Sequence, residues 1–334
     1  MKMKKFLVLF ISILLLELML RFSFLYNPKL ERVFEGNYGK ENYHRRDVAE
    51  GYRTTKGIYS SKKIHSRLNA NKTIYDVVYT FEEDGVRLTP NNITLPQTAP
   101  RVLTIGDSFT LGEGVNDDQT LANYLSVFGG YSVKNRGGHG YGPNQAYSIL
   151  YQELEAGNEY SVVIYQGSPW ASERASCFVD YSTGSPYYEF DINGLPIERG
   201  KCELRRGTPN LIGKMNKLSK IFNFISSSFD FADKIEQDEV IDRYIKFITA
   251  MAKTHEKFIY LHIAPLAGWY IGTDWSDKKL ISKLVSSGVS VVDGTISNVF
   301  GNYKKGYFIP EDNHPTPLAN QERAYLLVYF LKQK

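Results

Sequence analysis

Five short runs of branched and aromatic residues recur down the chain, and most are separated by a helical pattern. They occupy 101–106 (RVLTIG), 131–137 (YSVKNRG), 160–168 (YSVVIYQGS), 258–265 (FIYLHIAP) and 289–294 (VSVVDG). Amphipathic spacing fills 118–129, 142–157, 238–257 and 277–288, and a last helix is predicted over 317–332. Alternation of this kind specifies an α/β fold, a three-layer α/β/α sandwich around a mostly parallel sheet. RVLTIG is continuous rather than alternating, as expected of a strand buried on both faces. In such sheets reactive groups collect beyond the carboxyl ends of the strands. Attention therefore falls on Gly106-Asp107-Ser108, Asn135 with the glycines after it, Gly167-Ser168-Pro169, and the segment 310–315 before the last helix.

Outside this core the pattern changes. Residues 170–238 interrupt the alternation with a hairpin signal at Asn193-Gly194 and an amphipathic run at 211–229, and read as an insertion of lid type. The stretch 27–97 is polar and rich in Tyr and Lys, and reads as a lead-in. Within it, 74–88 (IYDVVYTFEEDGVRL) alternates as a strand does and turns at Glu83-Asp84-Gly85. The main domain is placed at 98–334. At the start, Met1 to Lys5 is basic and Phe6 to Leu20 almost wholly apolar, broken by Glu17. This predicts an uncleaved N-terminal signal-anchor over 1–26, a transmembrane helix with the rest of the chain exported to the periplasmic or extracellular side. A cleaved signal peptide or a buried helix is the alternative.

Composition excludes more than it assigns. With 43% hydrophobic and 23% charged residues the chain is of ordinary globular make-up, and its net charge of +4 is scattered. No dense basic run with interleaved aromatics marks a nucleic-acid partner. The two cysteines, Cys177 and Cys202, either form one bridge in an oxidising compartment or stay as buried thiols, and no Cys/His cluster suggests a metal.

Three blocks, taken in order, resemble the SGNH, or GDSL, hydrolase family: GDSFTLGEGV at 106–115, NRGGHGYG at 135–142 and EDNHPTPLANQ at 311–321. The upstream FEEDGVRL and the apolar N-terminus are similar to membrane-anchored bacterial members. The resemblance implies Ser108 as nucleophile, His314 as base, and an oxyanion hole built from the backbone N–H groups of Ser108 and Gly140. A serine is a poor nucleophile unless a neighbour takes its proton, and an imidazole is suited to that task near neutral pH. The acid that orients His314 is Asp312 or Glu311; the Asp-x-His spacing and the shorter side chain favour Asp312. The family's third oxyanion donor is an Asn amide, and here Ser168 stands in that place, with Gln166 or Asn144 as other sources of an amide. His262 reads as a core residue. His139 either faces the crevice or is an exposed loop residue.

The resemblance implies an esterase acting on an O-acyl, and above all O-acetyl, ester of a glycan or other small ester, with no cofactor and no metal. Two other functions fit the same scaffold: an O-acetyltransferase of envelope polysaccharide, and a glycan-binding protein that has lost catalysis. The expected partners are that substrate and the membrane.

Overall fold

The computed structural model describes residues 12–13, 15–19, 31–37, 43–67, 70–177, 179, 182–203, 234–264, 274–295 and 306–333. Its centre is a parallel five-stranded sheet: β6 (Arg101–Gly106), β7 (Ser132–Gly137), β8 (Val162–Gly167), β11 (Phe258–His262) and β12 (Ser290–Asp293). The strands lie in the order β12-β11-β8-β6-β7, which is 2-1-3-4-5 counted along the chain, the doubly wound order of flavodoxin-like folds. The order reverses between β6 and β8, where such sheets open a crevice.

Strand periodicity builds the three layers. Leu103, Ile105, Val163, Tyr165 and Tyr260 face one way, onto α3 (Pro143–Glu155), α5 (Lys234–Thr254) and α6 (Asp277–Ser286). Val102, Val162, Ile164, Ile259 and Leu261 face the other way, onto α2 (Leu121–Gly129) and α7 (Pro317–Lys332). Successive side chains point to opposite faces, so the inner strands β6, β8 and β11 serve both cores and show no polar face in their sequence, while the edge strand β7 carries Lys134 and Arg136 toward Glu153. Local chemistry sets the helix ends: Thr120 caps α2 by accepting from Asn123 N, Gly130 closes it in a left-handed conformation, and Thr316 caps α7.

Before β6 the chain folds as an antiparallel sheet, β1 (Glu31–Gly36), β4 (Gly57–Arg67) and β5 (Ala70–Phe81), with a separate pair, β2 (His44–Asp47) and β3 (Gly51–Thr54). Tyr75, Val77, Tyr79 and Phe81 are buried while Asp76 and Val78 are exposed, the period of two expected over 74–81. This inner face packs on Leu111, Val115 and Ile309. The Asn193-Gly194 turn joins β9 (Pro186–Phe190) to β10 (Pro196–Lys201), with Gly194 at φ 74°. Cys177 and Cys202 are joined in a disulfide, Cα to Cα 5.4 Å, that ties the chain before β9 to the end of β10. The amphipathic run at 211–229 lies outside the described residues.

One expectation is corrected. Among the described residues no helix is long and apolar enough to cross a membrane, so the predicted N-terminal transmembrane helix, and membrane association through it, is set aside. The physical reason lies in length. A helix from Phe6 to Leu20, rising about 1.5 Å per residue, reaches about 22 Å, short of a hydrocarbon core of roughly 30 Å.

Candidate active site

Ser108 opens α1 (Ser108–Leu111), the single turn that follows β6. The chain turns at Gly106, at φ 151°, where an added Cβ would meet Thr110 Oγ1 at 2.2 Å and the Gln166 carbonyl at 2.4 Å; no side chain fits. Asp107 caps the turn, Oδ1 accepting from Phe109 N at 3.0 Å. Its other oxygen accepts from Arg174 Nη1, on the short helix α4 (Ser172–Ala175), at 2.9 Å and from Trp170 Nε1 at 3.4 Å. Asp107 therefore shapes the loop and ties it to the segment after β8.

His314 arrives on the loop before α7. The Ile309 carbonyl accepts from the N–H groups of both Asp312 and Asn313, and Ile309 N donates to the His314 carbonyl at 2.8 Å. Glu311 and Asn313 both adopt left-handed φ, 67° and 72°. This winding sends alternate side chains to opposite sides. Glu311 points outward and meets Lys72 Nζ at 3.3 Å, while the Asp312 side chain turns inward and is wholly buried. His314 Nε2 lies 2.9 Å from Ser108 Oγ, and Nδ1 lies 2.6 Å from Asp312 Oδ2. The ring sits edge-on to Phe109, centroids 5.5 Å apart. Of the two acids the sequence left in contention, Asp312 is the one in contact with the imidazole.

Two further charged groups close around this line. Lys63 of β4 donates to Asp312 Oδ1, so each oxygen of the Asp312 carboxylate has a cationic or N–H partner. Glu113, buried at 3% exposure in the loop after α1, places Oε2 2.6 Å from His139 Nδ1 and 3.6 Å from His314 Nε2. Neither Lys63 nor Glu113 was visible from the motifs. Glu113 lies inside the first block, flanked by Gly112 and Gly114, and its one signal is a charge set in a small-residue loop.

These neighbours shift the titrations. Burial works against a charged Asp312, but the hydrogen bond and charge of His314, with Lys63 beside them, hold its carboxyl down at about 2. Burial likewise disfavours a charged His314. The Asp312 hydrogen bond and the negative charges of Glu113, Asp312 and Asp107 overcome it and raise the imidazole above its ordinary value. Glu113, despite its burial, is lowered by the hydrogen bond and charge of His139 and by His314.

Ser108, Phe109, Trp170, Arg174, Phe308 and His314 wall a cavity of about 190 Å³. Gly140 and Ser168, the other two expected oxyanion residues, are not on its wall. Gly140 sits in the turn after β7 at φ 70°. Ser168 Oγ is buried with no hydrogen-bond partner among the described residues. The Asn144 amide is committed to Ser185 Oγ and the Pro186 carbonyl, and Gln166 Oε1 is 3.5 Å from Thr110 Oγ1. Asn135 holds its own turn, donating to the Thr110 carbonyl and accepting from Gly137 N. His262 is buried between the Tyr260 hydroxyl and Asp277, each at 2.9 Å. Among the described residues no group of three or more Cys, His, Asp or Glu side chains could hold a metal ion.

No family model and no curated protein sequence matches the chain. Solved structures do match. One is a member of the lipolytic protein G-D-S-L family from Veillonella parvula, 12% identical, covering 71% of this chain and 100% of that one at a TM-score of 0.40. A second is a lipase/acylhydrolase from Enterococcus faecalis, 12% identical, covering 70% and 96% at 0.36. A third is an acetyl xylan esterase from the rumen bacterium Butyrivibrio proteoclasticus, 12% identical, covering 90% and 87% at 0.36. The chain is thus similar to solved lipolytic G-D-S-L proteins and carbohydrate esterases, at a level of superposition that leaves the functional argument to the residues of the site.

Proposed function

We propose that the protein is a serine ester hydrolase of SGNH type that removes a short acyl group, in the first instance acetyl, from a hydroxyl of a glycan or small alcohol. The observation that carries this is the unbroken line Ser108 Oγ, His314 Nε2, His314 Nδ1, Asp312 Oδ2, with contacts of 2.9 and 2.6 Å. Ser108 Oγ attacks the ester carbonyl while its proton passes to His314 Nε2. The same proton then goes to the leaving alcohol as the C–O bond breaks, and water repeats the sequence on the acyl-serine. Asp312 keeps Nδ1–H as the donor side of the ring and stabilises the imidazolium. The backbone N–H of Ser108 is assigned to the oxyanion; Gly140 and Ser168, both off the cavity wall, are given no part. A cavity of about 190 Å³ lies below the roughly 300–1,000 Å³ common for small-molecule sites, which supports a short acyl chain. The Cys177–Cys202 disulfide supports an oxidising compartment outside the cytoplasm.

The test is a fluorophosphonate probe with mapping of the labelled peptide, run beside acetyl release from acetylated oligosaccharides. Labelling at Ser108, silence of Ser108→Ala and release of acetate are the expected results. Transfer of acetyl to an added oligosaccharide would convert the reading to a transferase. An unlabelled wild type that binds oligosaccharide would overturn it in favour of a binding protein.

A further inference from the structure

The inner face of the β4–β5 ribbon is apolar and aromatic except at Ser61 and Lys63, and Lys63 carries its one charge. Val77 and Tyr79 face the loops that carry Ser108 and His314, and Tyr75, the cross-strand neighbour of Lys63, does the same. Lys63 stands in that row with its side chain 6% exposed. Its ammonium lies against the Phe34 and Tyr75 rings, 5.1 and 5.8 Å from their centroids, and donates to Asp312 Oδ1. A lysine is seldom buried without a partner; this one is buried against the carboxylate that orients His314. The β4–β5 register shifts between Lys63 and Ile64, where Ile74 of β5 is the extra, unpaired residue: Tyr75 stays opposite Lys63, Ile74 packs beside it on the same apolar cluster, and Lys63 is left to meet Asp312.

We infer that Lys63 is a positioning residue of the active site, a fourth member behind the triad, which fixes the Asp312 carboxylate so that one oxygen is held by the ribbon and the other is aimed at His314. The inference rests on the triad reading above. Lys63 is not on the cavity wall, so it acts through Asp312 and not on the substrate. Two consequences follow. Removing the ammonium lets the carboxylate rotate, which lowers kcat and leaves KM unchanged. It also leaves the Asp312 charge less compensated, so the His314 cation is held more firmly and the acid limb of the pH–rate profile moves to higher pH. The other groups facing that imidazole are Glu113 and Asp107 from the β6 end, with His139 behind Glu113 and Tyr75 on β5; none of them is altered by the substitution.

The experiment uses the full chain, with kcat, KM and the pH profile measured on a short-chain acyl ester for wild type, Lys63→Met, Asp312→Asn and the double variant. Lys63→Met is expected to lose about tenfold to a hundredfold in kcat, the range seen when outer partners of ligating histidines are removed, with the acid limb displaced upward. In the Asp312→Asn background the same substitution is expected to cost nothing further. A folded Lys63→Met with wild-type kcat and acid limb would overturn the inference, as would an equal loss with and without Asp312. Should Lys63→Met unfold because Asp312 is left buried with one partner fewer, the double variant, which removes both charges, is expected to recover the thermal midpoint; failure to recover it also overturns the pairing. The probe separates this from the underlying reading: an unlabelled wild type removes the triad, whereas equal labelling rates of wild type and Lys63→Met at Ser108 remove only the lysine.

Discussion

The ends of β6 and β8 and the inner face of the β4–β5 ribbon press on the same two loops, but they reach them through different groups. The parallel sheet works from its rim: Ser108 stands one residue past Asp107 at a strand end, and the helix turn after it fixes its direction. The ribbon works from its middle, through side chains that cross a packed interface: Lys63 donating to Asp312, the Tyr79 hydroxyl accepting from Gly114 N at 2.8 Å, and an apolar floor under Leu111 and Ile309. Arg87, just after β5, is fully buried and binds the carbonyls of Leu111, Gly112 and Val115 as well as Asp117. Rim groups can do chemistry because the crevice opens there. Groups in the middle of a ribbon cannot reach substrate, but they hold the loops that do. One part of the molecule supplies reactive atoms and the other supplies their placement.

The largest test of that division lies at the rim. His314→Ala is expected to cost about 10⁶ in kcat, the scale at which loss of one triad member equals loss of the whole unit. The thermal midpoint should stay near wild type, because the ring is a partly exposed cavity residue. Ester hydrolysis beside calorimetry checks it; a loss below about a hundredfold would mean that another group takes the serine proton. Next in size is the ribbon side. Arg87→Leu leaves Asp117 and three loop carbonyls without their buried partner, and breaking a buried pair on one side costs about 3–5 kcal/mol. Urea unfolding should show that loss, with activity falling only as the folded fraction falls. A stable Arg87→Leu would show that the loop after α1 holds itself.

The two parts were not equally legible in the sequence. The doubly wound sheet shows in it because its inner strands are doubly buried apolar runs and several of its helices carry a side-chain cap or a glycine stop. The residues singled out at the strand ends are brought together at Ser108, Asp312 and His314 because a parallel sheet sends all its strand ends to one side. Lys63 and Glu113 were hidden for a physical reason. A lysine in an antiparallel strand reads as solvent-facing unless the partner surface is known, and that partner is 249 positions away. The choice between Glu311 and Asp312 depends on two left-handed residues, neither of them glycine, which spacing does not reveal. The N-terminus misled in the opposite sense: charge followed by an apolar run has the signature of a membrane helix, while the length falls short of one.

Smaller effects sharpen the comparison. Glu113 belongs to the rim by position but, like the ribbon groups, touches no substrate-facing atom except through His314. It places a negative charge 3.6 Å from Nε2, and its charge, after the Asp312 hydrogen bond, raises the imidazole above its ordinary value. The base must be neutral to accept the Ser108 proton, so activity rises as pH climbs through that raised value. Glu113→Gln removes the charge, lowers the imidazole, and moves the acid limb to lower pH, the reverse of the shift expected for Lys63→Met. Profiles of kcat/KM between pH 5 and 9 check the sign; an upward or absent shift would mean that Glu113 serves His139 alone.

The least effect is expected outside the packed line. Glu311 adjoins Asp312 in sequence, but its carboxylate is solvent-facing and pairs with Lys72 across 3.3 Å, both side chains at least a third exposed. Exposed pairs of this kind contribute about 0–1 kcal/mol and are screened by salt. Glu311→Gln should therefore leave kcat within about threefold of wild type and the thermal midpoint almost unmoved, and the small difference should vanish at about 1 M salt. Asp312→Asn, one residue on, should cost about 10⁴, near the value for loss of a triad acid alone. The ratio between these adjacent substitutions measures how strictly the left-handed winding of the loop separates its two faces. If Glu311→Gln were the more damaging of the two, the loop would have to rewind in solution so that position 311 faces the imidazole, and the ribbon's hold on Asp312 would be lost with it.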